Sequence, residues 1–175
     1  MRRRGTVTLI IIAAVFSVLA AGSAGGFNPF LLNSLSGKDA PDFTVKNLAG
    51  KDVSLSSFRG KPILLNFWAT WCPYCQRERE HLNRITRDYR ERGLVVLSVS
   101  TDRSVDKVRR YVEKVPADFV VLHDSDGSAA GSYNINGLPS SFLIGPDGTV
   151  RRNFIGFVEW TSSSSRKEID AFLTN

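Results

Sequence analysis

The sequence has few residues that bind metals: its 175 residues include two cysteines, Cys72 and Cys75, and two histidines, His81 and His123. A structural zinc site takes four ligands, usually cysteine and histidine side chains. A zinc interpretation of the cysteine pair therefore has little support, and we expect neither a metal nor another cofactor. With only two cysteines, the chain forms at most one internal disulfide.

The chain also lacks a long basic run. Its formal net charge is +6, and Arg2, Arg3 and Arg4 supply half of it. Elsewhere basic and acidic residues alternate, as in residues 76–80 (Gln-Arg-Glu-Arg-Glu), a pattern typical of a solvated helix face. The charge pattern therefore does not indicate a basic surface that binds the phosphates of a nucleic acid. Hydrophobic residues at 42% and charged residues at 23% are ordinary for a soluble globular domain.

Charge is absent between Arg4 and Lys38. Residues 7–21 are almost wholly apolar and small residues follow up to position 26, which is the pattern of a secretory signal or a membrane anchor. Residues 7–26 span roughly 30 Å as a helix, enough to cross a bilayer, and small residues near position 22 also fit a cleavage site. The basic start favours a cytoplasmic N-terminus, so the domain is expected in the periplasm or at the outer face of the cell membrane.

We therefore divide the chain into a signal peptide or membrane anchor (1–26), a linker (27–37) and a single domain (38–175). Strand and helix patterns alternate along the domain. The expected elements are a hairpin around residues 49–51, strands at 63–68, 94–99 and 119–122, helices from 73 and from 104, a helical turn at 128–133, a hairpin of strands 141–144 and 150–155, and a helix opening with a capping box at 165–168. This order predicts an α/β fold with a mixed sheet covered on both faces.

The two cysteines are spaced C-x-x-C where the strand 63–68 meets the helix that begins at Pro73. A helix N-terminus favours a thiolate, so Cys72 is predicted to be a nucleophile with a pKa below the free value of about 8.5. The alternative is a stabilising disulfide. Closing so short a loop contributes only about 2 kcal/mol, against about 4.7 kcal/mol for a 100-residue loop. We therefore favour a redox dithiol.

Residues 66–75, Asn-Phe-Trp-Ala-Thr-Trp-Cys-Pro-Tyr-Cys, resemble the active-site segment of membrane-anchored thioredoxin-like proteins of the TlpA and ResA type. Residues 37–43 and 133–144 resemble that family's entry motif and its cis-proline segment. The resemblance covers roughly residues 37–173 and implies a thioredoxin fold, here with an N-terminal β-hairpin extension. Peroxiredoxins share the entry motif, but they place a lone cysteine after a Pro-x-x-x-Thr pattern that is absent here.

The resemblance also implies roles for single residues. Cys72 would be the exposed attacking thiol and Cys75 the buried resolving thiol. Trp71, Leu138 and Pro139 would contact the substrate, with Pro139 in the cis form facing the disulfide. Taken alone, the Gly-Leu-Pro sequence at 137–139 is typical of an ordinary surface turn.

Glu78 stands where the family carries an acid, three residues after the second cysteine. Thioredoxin keeps a buried Asp where this chain has Asn66, so Glu78 is the candidate proton acceptor for Cys75. The alternative is that Glu78 is one more solvated helix charge. Glu80 replaces a proline that is common in the family, so no helix kink is predicted.

The sequence predicts a thiol-disulfide oxidoreductase that reduces protein disulfides, with apocytochrome c as a candidate substrate and a membrane thiol donor as its source of electrons. The residues between the cysteines tune the reduction potential, so a disulfide oxidase or isomerase stays open as an alternative. A copper-delivery protein is a third hypothesis. It requires a further ligand, and His123 is the candidate, although its position before 124–127 is more typical of a surface histidine.

Overall fold

The computed structural model describes residues 35–174. The predicted signal or anchor at 1–26 lies outside the described residues, and the division of the chain at 26 and 37 stays a prediction. Within the described range, no helix combines the length and the apolar character that a membrane crossing requires.

Seven strands form one mixed sheet in the described range, in the order β2-β1-β5-β4-β3-β6-β7. The central strands β3, β4 and β5 are parallel, and the other pairs are antiparallel. The strands are β1 (Thr44–Asn47), β2 (Asp52–Ser54), β3 (Ile63–Trp68), β4 (Val95–Ser100), β5 (Val120–His123), β6 (Ser140–Ile144) and β7 (Val150–Ile155). The α-helices are α1 (Pro73–Tyr89), α2 (Val105–Lys114), α3 (Ser128–Ser132) and α4 (Ser163–Thr174).

The predicted elements are all present, and the N-terminal hairpin lies at the edge of the sheet as expected. The predicted capping box of the last helix is wrong, because α4 begins at Ser163. The Oγ of Ser162 accepts a hydrogen bond from the backbone N–H of Ser165 at 3.2 Å. Four consecutive serines offer several equivalent helix caps, so the pattern did not fix the start.

Strand β3 lies near the middle of the sheet, and all six of its residues are buried. Side chains alternate along a strand, so Leu64 and Trp68 pack in one hydrophobic cluster with the cysteines, while Leu65 and Phe67 pack in the cluster on the opposite face. Asn66 shares the face of Leu64 and Trp68. This alternation places a polar amide of β3 under helix α1.

The carboxyl ends of β3 and β4 lie side by side because the two strands are parallel and paired from Ile63–Val95 to Trp68–Ser100. The loop after β3 leads into α1, with Pro73 at the first turn, where the missing N–H of proline costs no helical hydrogen bond. Parallel sheets bind ligands at this edge. The topology therefore brings the C-x-x-C segment to the edge where a functional site is expected.

Candidate active site

Cys72 is the N-terminal cap residue of α1 and forms a disulfide with Cys75. The backbone N–H of Cys75 donates to the Sγ of Cys72 at 3.2 Å. In the reduced protein, the same N–H and the positive end of the helix dipole would stabilise a Cys72 thiolate. The low pKa of Cys72 stays a prediction, and this contact at the helix N-terminus is the geometry that would produce it.

The two cysteines do not differ in exposure, since each is 4% exposed in this oxidised form. The expectation of an exposed Cys72 and a buried Cys75 is therefore wrong for the disulfide state, in which the bonded sulfurs pack within the hydrophobic cluster under α1. The difference lies in what they face. Cys72 lines an open groove, and Cys75 is not among its lining residues.

That groove has a volume of about 440 Å³ and a largely apolar lining. Trp71 and Tyr74, which are 69% and 58% exposed, form one side, and Leu138 lies on the wall contributed by the segment before β6. We refer to it as the disulfide groove. It brings the predicted contact residues Trp71 and Leu138 together with Cys72.

The peptide bond between Leu138 and Pro139 is cis, as the resemblance implied. Pro139 is buried rather than part of an exposed turn, and its carbonyl accepts the N–H of Gly156 at 2.8 Å. Within the described range, the backbone N–H and C=O of Leu138 have no recorded hydrogen bond. Leu138 therefore has a backbone donor and acceptor available beside the disulfide groove.

Glu78 is 1% exposed, so the alternative interpretation, a solvated helix charge, is wrong. Its Oε1 accepts from the indole N–H of Trp160 at 2.9 Å and from the backbone N–H of Val158 at 3.1 Å. Its Oε2 accepts from the Nδ2 of Asn66 at 3.2 Å. Burial raises the pKa of Glu78 from 4.5 to about 7, and the three hydrogen bonds oppose that rise. Glu78 can therefore exchange a proton near neutral pH, one helical turn from Cys75.

The amide of Asn66 is held by two hydroxyls on neighbouring strands. Its Nδ2 also donates to the Oγ of Ser141 at 3.0 Å, and its Oδ1 accepts from the Oγ of Ser98 at 3.2 Å. From the sequence alone, Asn66 was identified only as the residue that replaces an acid. The structure shows that Asn66 is a hydrogen-bond donor to Glu78.

Asp102 is a site residue that the sequence analysis missed. It follows β4 and is 4% exposed. Its carboxylate accepts from the backbone N–H of Thr70 at 2.8 Å, the Thr70 hydroxyl at 2.7 Å and the Ser100 hydroxyl at 2.8 Å. Thr70 stands two residues before Cys72, so Asp102 fixes the loop that leads into the disulfide. An acid two residues after a buried parallel strand was the available indication.

His123 is buried, so its interpretation as a surface histidine is wrong. It ends β5 beside β4, opposite Ser100, and its Nε2 lies 2.6 Å from the backbone oxygen of Asp102. A carbonyl only accepts, so Nε2–H is the donor and this nitrogen has no lone pair for a metal. Nδ1 is the nitrogen left for a metal, and His123 is not among the residues that line the disulfide groove with Cys72.

A C-x-x-C disulfide at the start of a helix, together with a cis-proline before a strand of a mixed sheet, defines the class of thioredoxin-fold thiol-disulfide oxidoreductases. The chain belongs to the AhpC/TSA family, which it matches over residues 36–153. Among its relatives are thiol-disulfide oxidoreductases named ResA from Bacillus and Geobacillus, which are 31–37% identical. That of Bacillus cereus is 37% identical over 120 residues, covering 69% of each chain.

Solved structures agree with this assignment. A protein assigned as thiol:disulfide interchange protein DsbE from Chlorobium tepidum superposes with a TM-score of 0.74 at 32% identity, covering 79% of this chain and 97% of that one. A secreted disulfide oxidoreductase of Mycobacterium tuberculosis gives a TM-score of 0.62 at 26% identity, over 75% and 94% of the two chains. The chain is a thiol-disulfide oxidoreductase with a thioredoxin fold.

Proposed function

We propose that this oxidoreductase reduces disulfides of proteins outside the cytoplasm, with Cys72 as the attacking thiolate and Cys75 as the resolving thiol. The observation that carries the assignment is the position of Cys72 at the helix N-terminus, where it alone of the pair lines the disulfide groove. Cys75 instead lies one turn from Glu78, a buried carboxyl that can take a proton near pH 7.

The proposed reaction moves two electrons and two protons to the substrate. The Cys72 thiolate attacks one sulfur of the substrate disulfide, and the other sulfur leaves as a thiolate that takes a proton from water. Cys75 transfers its proton to the Glu78 carboxylate and attacks the Cys72 sulfur. The second substrate thiolate then leaves and takes a proton from water, Glu78 returns its proton to water, and Cys72 and Cys75 are left as a disulfide. A membrane thiol donor, inferred from the family resemblance, would reduce the pair again.

A polypeptide substrate fits the disulfide groove. An extended chain can pair with the free backbone groups of Leu138, and apolar side chains can pack on Trp71 and Tyr74. The family resemblance makes apocytochrome c a candidate substrate. The N-terminal sequence and the secreted Mycobacterium tuberculosis neighbour support a location outside the cytoplasm.

Single-cysteine variants of the full chain test the two thiol roles. In reduced wild type, iodoacetamide at neutral pH should label Cys72 first, as followed by mass spectrometry. Cys72→Ser should lose insulin reduction, whereas Cys75→Ser should accumulate a mixed disulfide with the substrate. Equal labelling of both thiols together with activity in Cys72→Ser would overturn the assignment.

The direction of electron flow is tested by equilibrating the protein with glutathione or dithiothreitol series. A reductase should have a potential near that of thioredoxin, about −270 mV. A value near about −120 mV, typical of a strong oxidase, would overturn the reductase direction and leave the dithiol chemistry intact.

The location is tested with a C-terminal alkaline phosphatase fusion, which should be active in cells if the domain lies outside the cytoplasm. Carbonate extraction then separates the two N-terminal alternatives. A retained anchor should keep the full-length chain in the membrane pellet, and a cleaved signal should release a shorter chain. An inactive fusion would overturn the proposed location.

A further inference from the structure

Arg79 is a buried cation that the proposed reaction does not use. Its residue is 3% exposed. Its guanidinium carbon lies 5.2 Å from the ring centroids of Trp68 and Tyr111 and 5.3 Å from that of Phe119. Its Nε donates to the backbone oxygen of Val115 at 3.0 Å, and its buried Nη2 has no partner in the described range.

The Arg79 charge is not neutralised by an ion pair. No acid in the described range forms a salt bridge with it. Burial lowers the pKa of Arg79, but a guanidinium stays protonated in proteins at neutral pH. The faces of three aromatic rings supply the attraction that an acid would otherwise provide. A full positive charge is therefore held in the protein interior.

Arg79 follows Cys75 by four residues on α1, so the two Cβ atoms lie about 5–6 Å apart. Trp68, whose ring packs against the guanidinium, belongs to the hydrophobic cluster that contains Cys72 and Cys75. The buried residues of this cluster are 8% exposed or less, and a charge with little water around it acts more strongly than one at the surface. The field of Arg79 therefore reaches the cysteines through protein rather than through solvent.

Glu78, the neighbouring buried acid, has different contacts from Arg79 and does not form an ion pair with it. Glu78 is bound by Asn66, Val158 and Trp160, whereas Arg79 lies among Trp68, Tyr111 and Phe119. Of the three rings that surround Arg79 in the described range, that of Tyr111 carries a titratable group. The two charges thus have separate environments on one helix, and a cation and a carboxylate have opposite effects on a nearby thiolate.

We propose that Arg79 tunes the redox pair electrostatically: its buried charge stabilises the cysteine thiolates, Cys75 first, and so makes the Cys72–Cys75 disulfide easier to reduce. Arg79 acts through the cysteines and is a positioning residue rather than a catalytic one. The inference rests on the proposed dithiol chemistry, and it holds for either direction of electron flow.

The test compares Arg79→Met, Arg79→Lys and the control Arg77→Met in the full chain. Arg77 is an exposed arginine of α1, two residues from Cys75, so Arg77→Met removes the same charge at a position where solvent screens it.

Arg79→Met should lower the equilibrium constant for reduction by glutathione about tenfold, which corresponds to about 30 mV. It should also raise the Cys75 thiol pKa, followed by pH-dependent alkylation. Arg79→Lys, which keeps the charge, should restore most of both values, and Arg77→Met should change the constant less than twofold.

A structural role alone would reduce the thermal stability of the variants and leave the thiol pKa and the potential in place. Methionine suits the apolar surroundings, and Arg79→Gln provides a second neutral variant. Unfolding curves of the oxidised variants show whether each of them is folded. Wild-type titration and potential in the folded neutral variants would overturn the proposal, as would equal effects of Arg79→Met and Arg77→Met. Both readouts need no protein substrate, so the Cys72→Ser test of the proposed function stays independent.

Discussion

At the scale of the residue, Glu78 shows how a charged side chain can be buried without an ionic partner. Three hydrogen-bond donors meet its carboxyl group, one each from β3, the loop after β7 and the indole of Trp160. These donors favour the carboxylate, and loss of water disfavours it more strongly, so the pKa rises to about 7. A carboxyl group poised in this way can accept the Cys75 proton and release it again.

The raised pKa of Glu78 predicts a dependence of stability on pH. The folded-state pKa of about 7 lies above the value of 4.5 for a free side chain. Between these values the folded chain holds a proton that the unfolded chain has lost, so the free energy of unfolding should fall as pH rises. The Glu78 contribution to this fall is about 3 kcal/mol, complete above pH 7.

Urea unfolding of the oxidised protein at pH 5 and pH 8 measures this effect. Glu78→Gln should remove the Glu78 part of the slope, because glutamine does not titrate. Glu80→Gln, an exposed position on the same helix, is the matched control and should keep the wild-type slope. Equal slopes in all three proteins would show that Glu78 does not titrate in this range.

Glu78→Gln also separates a chemical role from a structural one. Removing the carboxylate should lower the Cys72 pKa, because a negative charge near a thiolate disfavours it. It should also slow release of the mixed disulfide, because Cys75 loses its proton acceptor. Stopped-flow resolution rates and thiol titration measure both. Unchanged values for both would mean that the proton path runs through water.

At the scale of the element, helix α1 explains what the sequence predicted and what it did not. The start at Pro73 was predicted correctly, and Leu82, Ile85 and Tyr89 belong to the buried face of the helix. The same spacing of three and four residues places positions 78 and 79 on the buried face, between Cys75 and Leu82. The interpretation of residues 76–80 as a solvated face relied on their charge rather than on their helical spacing. It was wrong for Glu78 and Arg79, which are buried.

The partners of the buried charges could not be predicted in this way. The donors to Glu78 lie 12 and 82 residues away in Asn66 and Trp160. The aromatic rings around Arg79 come from β3, α2 and the residue before β5. Periodicity within an element reports which face is buried, whereas these contacts depend on how elements pack. The sequence could therefore indicate the candidate acid but not its surroundings.

Asp102, in the loop after β4, accepts hydrogen bonds from Thr70 in the loop after β3. The contribution of these hydrogen bonds to stability can be measured. Asp102→Asn replaces an acceptor oxygen with an NH₂ group facing the donors of Thr70 and Ser100. The free energy of unfolding should fall by about 1–3 kcal/mol, measured by urea denaturation. Asp106→Asn breaks an exposed ion pair with Arg109 and should cost less than about 1 kcal/mol. Equal losses in the two variants would contradict the anchoring role of Asp102.

At the scale of the whole molecule, the two most exposed large hydrophobic residues of the described range lie beside Cys72. Trp71 and Tyr74 are 69% and 58% exposed, against 53% for Ile155 and 41% for Val115. Both aromatic residues line the disulfide groove with Cys72. Exposed apolar surface beside polar surroundings is typical of a protein-binding site. The exposed aromatic surface and Cys72 of the redox pair thus lie together at one edge of the sheet, which is where we propose that polypeptides bind.

Trp71→Ala tests whether this surface binds polypeptide substrates. Loss of an exposed aromatic contact should lower kcat/KM for insulin reduction about tenfold, equivalent to about 1.4 kcal/mol. Reduction of a small disulfide such as cystine should change less than twofold, because it needs the sulfur chemistry but little of the groove. Val120→Ala removes an exposed hydrophobic side chain from a position that does not line the groove, and it should leave both rates unchanged. If Trp71→Ala slows both substrates equally, then Trp71 acts on the cysteine pair itself, and the polypeptide must be bound elsewhere.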